Sequence, residues 1–152
     1  MARITINLPD ETATKQLGAM LSGVFAAGDI VRVWCDRGAG KSTLARAVIA
    51  SLSDVDDAPS PTYMLVETYE TPAFLLWHFD LYWLESAADV WELGLEEALD
   101  GGTLLIEWPE RIDGLLPENA LTVRLEIDGT GRNAFIEGDK VWQARLAAAG
   151  IA

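Results

Sequence analysis

The sequence predicts a three-layer α/β fold with parallel strands at its centre and antiparallel strands at its edges. Three observations carry that reading. Residues 31–43 set a turn of small residues between a β-branched run and a helix start; residues 103–106 form an uninterrupted apolar run, as strands buried on both faces do; and residues 121–127 and 133–137 flank the turn residues 128–131 as a hairpin would. A strand, a glycine-containing turn ending in Gly38-Ala39-Gly40-Lys41-Ser42-Thr43, and a helix make the class P-loop NTPase-like.

In chain order, residues 2–8 alternate Ile4, Ile6 and Leu8 with polar residues and read as a half-buried strand, closed by Pro9-Asp10. Leu17, Met20, Leu21, Val24 and Phe25 then recur at helical spacing, so a helix is predicted over 11–25, ending at Ala27-Gly28. A strand over 30–34 feeds the glycine turn, and a helix over 41–52 leaves it with Leu44, Val48 and Leu52 in register. Residues 54–61 read as a loop. Strand-like segments at 63–69 and 74–79 suggest an antiparallel pair beside the nucleotide strand. Residues 86–99 keep a helical rhythm that Gly94 interrupts, which predicts two short helices, and Asp139 caps a last helix running through Leu146.

The chain has 152 residues, enough for one domain with a buried core, and residues 1–152 are read as a single P-loop ATPase domain. No apolar run approaches the ~20 residues that span a bilayer, so no membrane role and a cytoplasmic location are expected. The lone Cys35 excludes an intrachain disulfide and a cysteine zinc cluster. A net charge of −13 repels polyanions, so direct high-affinity nucleic-acid binding is not expected.

In a phosphate-binding loop, successive backbone N–H groups wrap the phosphates of ATP or ADP and the helix N-terminus adds partial positive charge. Here Gly38, Ala39, Gly40 and Thr43 supply backbone, Lys41 reaches the β- and γ-phosphates, and the Ser42 hydroxyl ligates Mg²⁺; the alternative is an ordinary glycine turn capped by Ser42. Two carboxylates end apolar runs, Asp80 and Glu107. Either can hold Mg²⁺, directly or through water, while the other orients the attacking water; taken singly, each could instead cap a loop. His78 is read on the opposite strand face from Asp80, as a packed, hydrogen-bonded side chain rather than a base or ligand. Thr62, after Ser60-Pro61, is a candidate switch residue over the γ-phosphate or a plain turn residue, and Trp108 is either core packing or a docking surface.

With these residues the chain resembles the TsaE (YjeE) family of small P-loop ATPases of tRNA threonylcarbamoyladenosine biosynthesis. The resemblance covers nearly the whole chain: Glu11-Thr12 and Leu17-Gly18, the loop from Gly38 to Arg46, Ser60-Pro61-Thr62-Tyr63, His78-Phe79-Asp80-Leu81-Tyr82, Glu92-Leu93-Gly94-Leu95, Ile106-Glu107-Trp108-Pro109-Glu110-Arg111 and Gly131-Arg132. It implies ATP hydrolysis with Mg²⁺ in partnership with the TsaB and TsaD proteins, which transfer the threonylcarbamoyl group, this family acting as their helper. It further implies that Lys41 holds phosphate, that Ser42 and Glu107 surround Mg²⁺, that Asp80 supports metal and water, that Thr12 and Arg132 lie toward the nucleotide, and that Trp108 is functional.

The chain departs from the family pattern at two places. Cys35-Asp36-Arg37-Gly38 stands where the family has Gly-Asp-Leu-Gly, and Trp83 where it has arginine. A left-handed backbone at Cys35 would cost about 1–2 kcal/mol, and Arg37 adds a charge beside the phosphates. Two other readings are a small P-loop kinase and a nucleotide-gated scaffold with little turnover. Against the kinase, no arginine lies between Asp54 and Glu107 to form a lid over a transferred phosphate.

Overall fold

The computed structural model describes residues 3–35, 41–53, 66–82, 84–112 and 114–151, with the backbone alone of Cys35, Lys41 and Ser42. Among the described residues seven strands form one sheet: β1 (Arg3–Leu8), β2 (Ile30–Cys35), β3 (Val66–Glu70), β4 (Leu75–Asp80), β5 (Thr103–Glu107), β6 (Leu121–Asp128) and β7 (Gly131–Glu137). Their order across the sheet is β1-β7-β6-β2-β5-β4-β3. The central strands β6, β2, β5 and β4 are mutually parallel, while β7 and β1 on one side and β3 on the other pair antiparallel. This is the three-layer arrangement the sequence predicts, with one difference. The β3–β4 pair does not lie beside β2, because β5 is inserted between them.

Strand alternation sorts the apolar residues into two cores. On one face Val31 and Val33 of β2, Leu105 of β5 and Val123 and Leu125 of β6 pack under α1 (Glu11–Ser22) and α2 (Lys41–Ser53) through Leu17, Leu21, Leu44 and Val48. The last helix, α4 (Lys140–Ala148), adds Trp142 and Leu146 to this core. On the other face Phe79, Leu104 and Ile106 meet Val90 of a 3₁₀ stretch (Ala87–Leu93), Leu95 and Ala98 of α3 (Leu95–Leu99), and Ile112 of a short 3₁₀ turn (Pro109–Ile112). Gly94, at φ 92°, breaks the rhythm between the 3₁₀ stretch and α3, as a left-handed residue must.

Helix α1 stops at Ser22 rather than running on to residue 25. Gly23 N–H bonds back to the Met20 carbonyl and Val24 N–H to that of Leu21, so the chain tightens into a turn there. Val24 and Phe25 are buried all the same, which is why their spacing mimics one more helical turn. Capping is as the side chains require: Asp10 accepts from Ala13 N–H and Asp139 from Trp142 N–H. Helices α1 and α2 approach closely at Gly18, where a Cβ would lie 2.6 Å from the Ala47 Cβ and 2.9 Å from the Leu44 carbonyl oxygen. Arg145 of α4 reaches back to the Asp29 carboxylate and the Val24 carbonyl, just before β2, with its guanidinium over the Trp142 ring.

Candidate functional site

Because β6, β2, β5 and β4 run the same way, their C-terminal ends share one edge of the sheet. In open α/β sheets that edge is where ligands bind. Strand β2 ends there at Cys35 and α2 begins at Lys41, so the glycine-containing segment 36–40 joins the two in the chain. Beside it, β5 ends at Glu107, which lies in register with Val33 of β2 on one side and Asp80 of β4 on the other. Glu107 is fully buried and Asp80 nearly so. Two carboxylates taken out of water at the ends of adjacent strands are costly unless they are paired or hydrogen-bonded. The backbone fixes them: Leu81 N–H donates to the Glu107 carbonyl at 3.1 Å, and Tyr82 N–H to Asp80 Oδ1 at 3.2 Å.

His78 belongs to this group. Strand period places residues 76, 78 and 80 on one face, so His78 shares the face of Asp80 and does not lie opposite to it. Its Nε2 is 2.5 Å from Glu107 Oε2, both side chains being essentially solvent-free. Reading His78 as a packed, hydrogen-bonded residue describes its burial but misses its partner, which is 29 positions away in the chain. The two-residue offset from Asp80 is the sequence signal that places it on the carboxylate side of the strand.

Trp108 follows Glu107 with φ 60°, the sole positive φ of a non-glycine among the described residues. Its ring lies 4.9 Å from that of Tyr82, tilted by 58°, and is partly buried against the second core. The contact links the segments leaving β4 and β5. Trp108 therefore packs, and is also held in a strained backbone conformation beside a buried carboxylate.

The remaining predicted residues distribute unevenly. Thr43, in the first turn of α2, lines an open groove of about 460 Å³ between α1 and α2 with Glu11, Lys15 and Arg46. Thr12 is exposed in the first turn of α1. Arg132 stands near the start of β7, opposite Leu8 at the end of β1, and donates from Nη1 to the Gly131 carbonyl. Since β1 is parallel to β6, the α1 N-terminus and Arg132 belong to the same sheet edge as Asp80 and Glu107. Arg37, Gly38, Ala39, Gly40 and Thr62 lie outside the described residues, as do the side chains of Lys41 and Ser42. Cys35 closes β2 in register with Leu125, so its backbone is extended rather than left-handed, and extended backbone suits any side chain.

Asp80 and Glu107 offer carboxylate oxygens, the donors that Mg²⁺ takes. Among the described residues no cluster of three His, Cys, Asp or Glu groups could enclose a metal. Among the same residues no helix is long and apolar enough to cross a membrane.

A family model described as "Threonylcarbamoyl adenosine biosynthesis protein TsaE" matches residues 8–134. The chain is 40% identical to the tRNA threonylcarbamoyladenosine biosynthesis protein TsaE of Rickettsia felis over 121 residues, covering 79% of this chain and 71% of that one. It is 30% identical to the protein of the same name from Haemophilus influenzae, covering 88% of both. Its fold is similar to the crystal structure of Bacillus subtilis YdiB, with a TM-score of 0.78 and 22% identity over 98% of this chain and 95% of that one. The fold is P-loop NTPase-like, and the chain belongs to the TsaE family of threonylcarbamoyladenosine biosynthesis proteins.

Proposed function

We propose that this protein is a Mg²⁺-dependent, ATP-binding and ATP-hydrolysing helper of tRNA threonylcarbamoyladenosine modification, working in the cytoplasm with the TsaB and TsaD proteins. The observation that supports this most is the register of β2, β5 and β4, which sets Glu107 and Asp80 side by side next to the strand that enters the glycine turn. In this reading the turn from Arg37 to Gly40 and the first turn of α2 bind the ATP phosphates, with Lys41 on the β- and γ-phosphates. Ser42 and Glu107 would hold Mg²⁺, and Asp80 would support it through water. When bound, the metal neutralises charge on the phosphates. With Glu107 assigned to the metal, Asp80 orients the attacking water, and the Trp108–Tyr82 contact keeps the two strand ends in place. Thr12, Thr43 and Arg132 belong to the nucleotide side of the edge.

Acidity is consistent with a helper that acts beside tRNA without gripping it, since the charge of −13 opposes a polyanion. The same charge favours docking to a basic face of a partner, which salt would weaken. Phosphate release measured with and without TsaB and TsaD tests the reading. The expected result is acceptor-free release stimulated by the partners. No nucleotide binding at millimolar ATP with Mg²⁺ would overturn it, and binding without release would turn it into a nucleotide-gated scaffold.

A further inference from the structure

We infer that His78 is a positioning residue for Glu107: its imidazole fixes the rotation of the Glu107 carboxylate, and so the geometry of the Mg²⁺ site assigned above, on which this inference rests. Three observations carry it. First, the two side chains are 2.5 Å apart, Nε2 to Oε2, on adjacent parallel strands, and both are essentially excluded from solvent. A carboxylate buried to this degree needs donors, and an imidazole N–H supplies one from a rigid side chain with only two torsions. Second, His78 Nδ1 is buried without a hydrogen-bond partner among the described residues. The ring is thus committed to Glu107 through one nitrogen, and the tautomer that satisfies the pair carries its proton on Nε2. Third, the register fixes which face of the sheet the ring occupies. Leu105 pairs with His78 across the β4–β5 ladder, and Trp77 and Phe79 on either side are turned into the opposite core.

The pair has the form of a ligand and the group that orients it. Such orienting partners typically set metal affinity or activity by 10–100-fold, because a carboxylate free to rotate loses its preferred geometry. His78 itself touches neither metal nor nucleotide in this assignment.

A comparison of H78N with H78Q separates positioning from packing. Both put a polar amide into the same buried place, but the glutamine amide nitrogen reaches about as far as Nε2, whereas that of asparagine stops near Nδ1. The expected result is a Mg²⁺ concentration for half-maximal ATP turnover raised about tenfold or more in H78N and largely restored in H78Q. ADP binding measured without Mg²⁺ should stay unchanged in both. Equal Mg²⁺ dependence in H78N, H78Q and the wild type would overturn the inference.

A spectroscopic arm needs no turnover. His78 is the single histidine of the chain, so untagged protein gives one set of imidazole signals in ¹⁵N NMR. They should report the Nε2–H tautomer with a slowly exchanging, downfield proton, and that proton should shift in E107Q. A signal indifferent to E107Q would overturn the pairing. Failure of the underlying functional reading looks different: the wild type then shows no Mg²⁺-dependent turnover although the imidazole still responds to E107Q, and the positioning role falls while the pair stands.

Discussion

Asp80 and Glu107 are cross-strand partners, the last residues of two parallel strands, and both are withdrawn from water. Neither can be replaced without leaving the other in an altered buried field. E107Q and D80N should each lower ATP turnover by roughly two orders of magnitude, the effect of losing one preorganised electrostatic contact. Nucleotide binding without Mg²⁺ should survive. Single-turnover phosphate release and a metal-free ADP titration together check this.

Trp108 offers an inverted stability order. Glycine ordinarily destabilises relative to alanine, but at φ 60° an L-residue carries a cost that glycine does not. W108A and W108G both lose the contact with Tyr82. W108G should nonetheless be the more stable of the two by about 1 kcal/mol. Urea unfolding of the pair reads the difference directly.

Gly18 makes the opposite case. Alanine there improves helix propensity, yet its Cβ would collide with Ala47 and with the backbone of Leu44. Backbone cannot move aside as a flexible side chain can, so G18A should destabilise by about 1–3 kcal/mol, as overpacking does. It should also weaken nucleotide affinity, since the strained contact forces α2 away from α1 at the helix that begins with Lys41.

Tyr69 sets a limit at high pH. Burial, with a lesser contribution from Glu67, raises its phenol above the ordinary 10.0. The unfolded chain therefore loses this proton first. The associated stability is complete below pH 10.0 and is lost as pH rises through the folded value. Thermal unfolding followed from pH 8 to 11 should show a drop above 10 that is smaller in Y69F.

Periodicity makes the elements of this chain legible, because period 2 and period 3.6 leave different traces in residues such as Ile4-Ile6-Leu8 and Leu44-Val48. Neighbourhood is less legible. Nothing in 103–107 announces that β5 enters between β2 and β4, since a strand apolar on both faces carries no mark of its partners. The end of α1 is obscured for a related reason: Val24 and Phe25 are buried from a turn and keep a helix-like interval. At the site, Asp80 and Glu107 stand out as acids ending apolar runs, whereas the His78–Glu107 pair appears only when β4 and β5 are set in parallel register.

The position of β2 in the sheet has a consequence for how the protein is made. This strand is complete by residue 35, but its two neighbours begin at Thr103 and Leu121. A ribosome therefore releases the glycine turn long before any sheet exists to anchor it, and both ladders beside it close over long stretches of chain. An arrested product shorter than β6 would carry every residue assigned to phosphate and metal except Arg132, with β2 able to pair on its β5 side alone. The nucleotide edge is in this sense a late acquisition of the growing chain, completed together with the sheet and not before it.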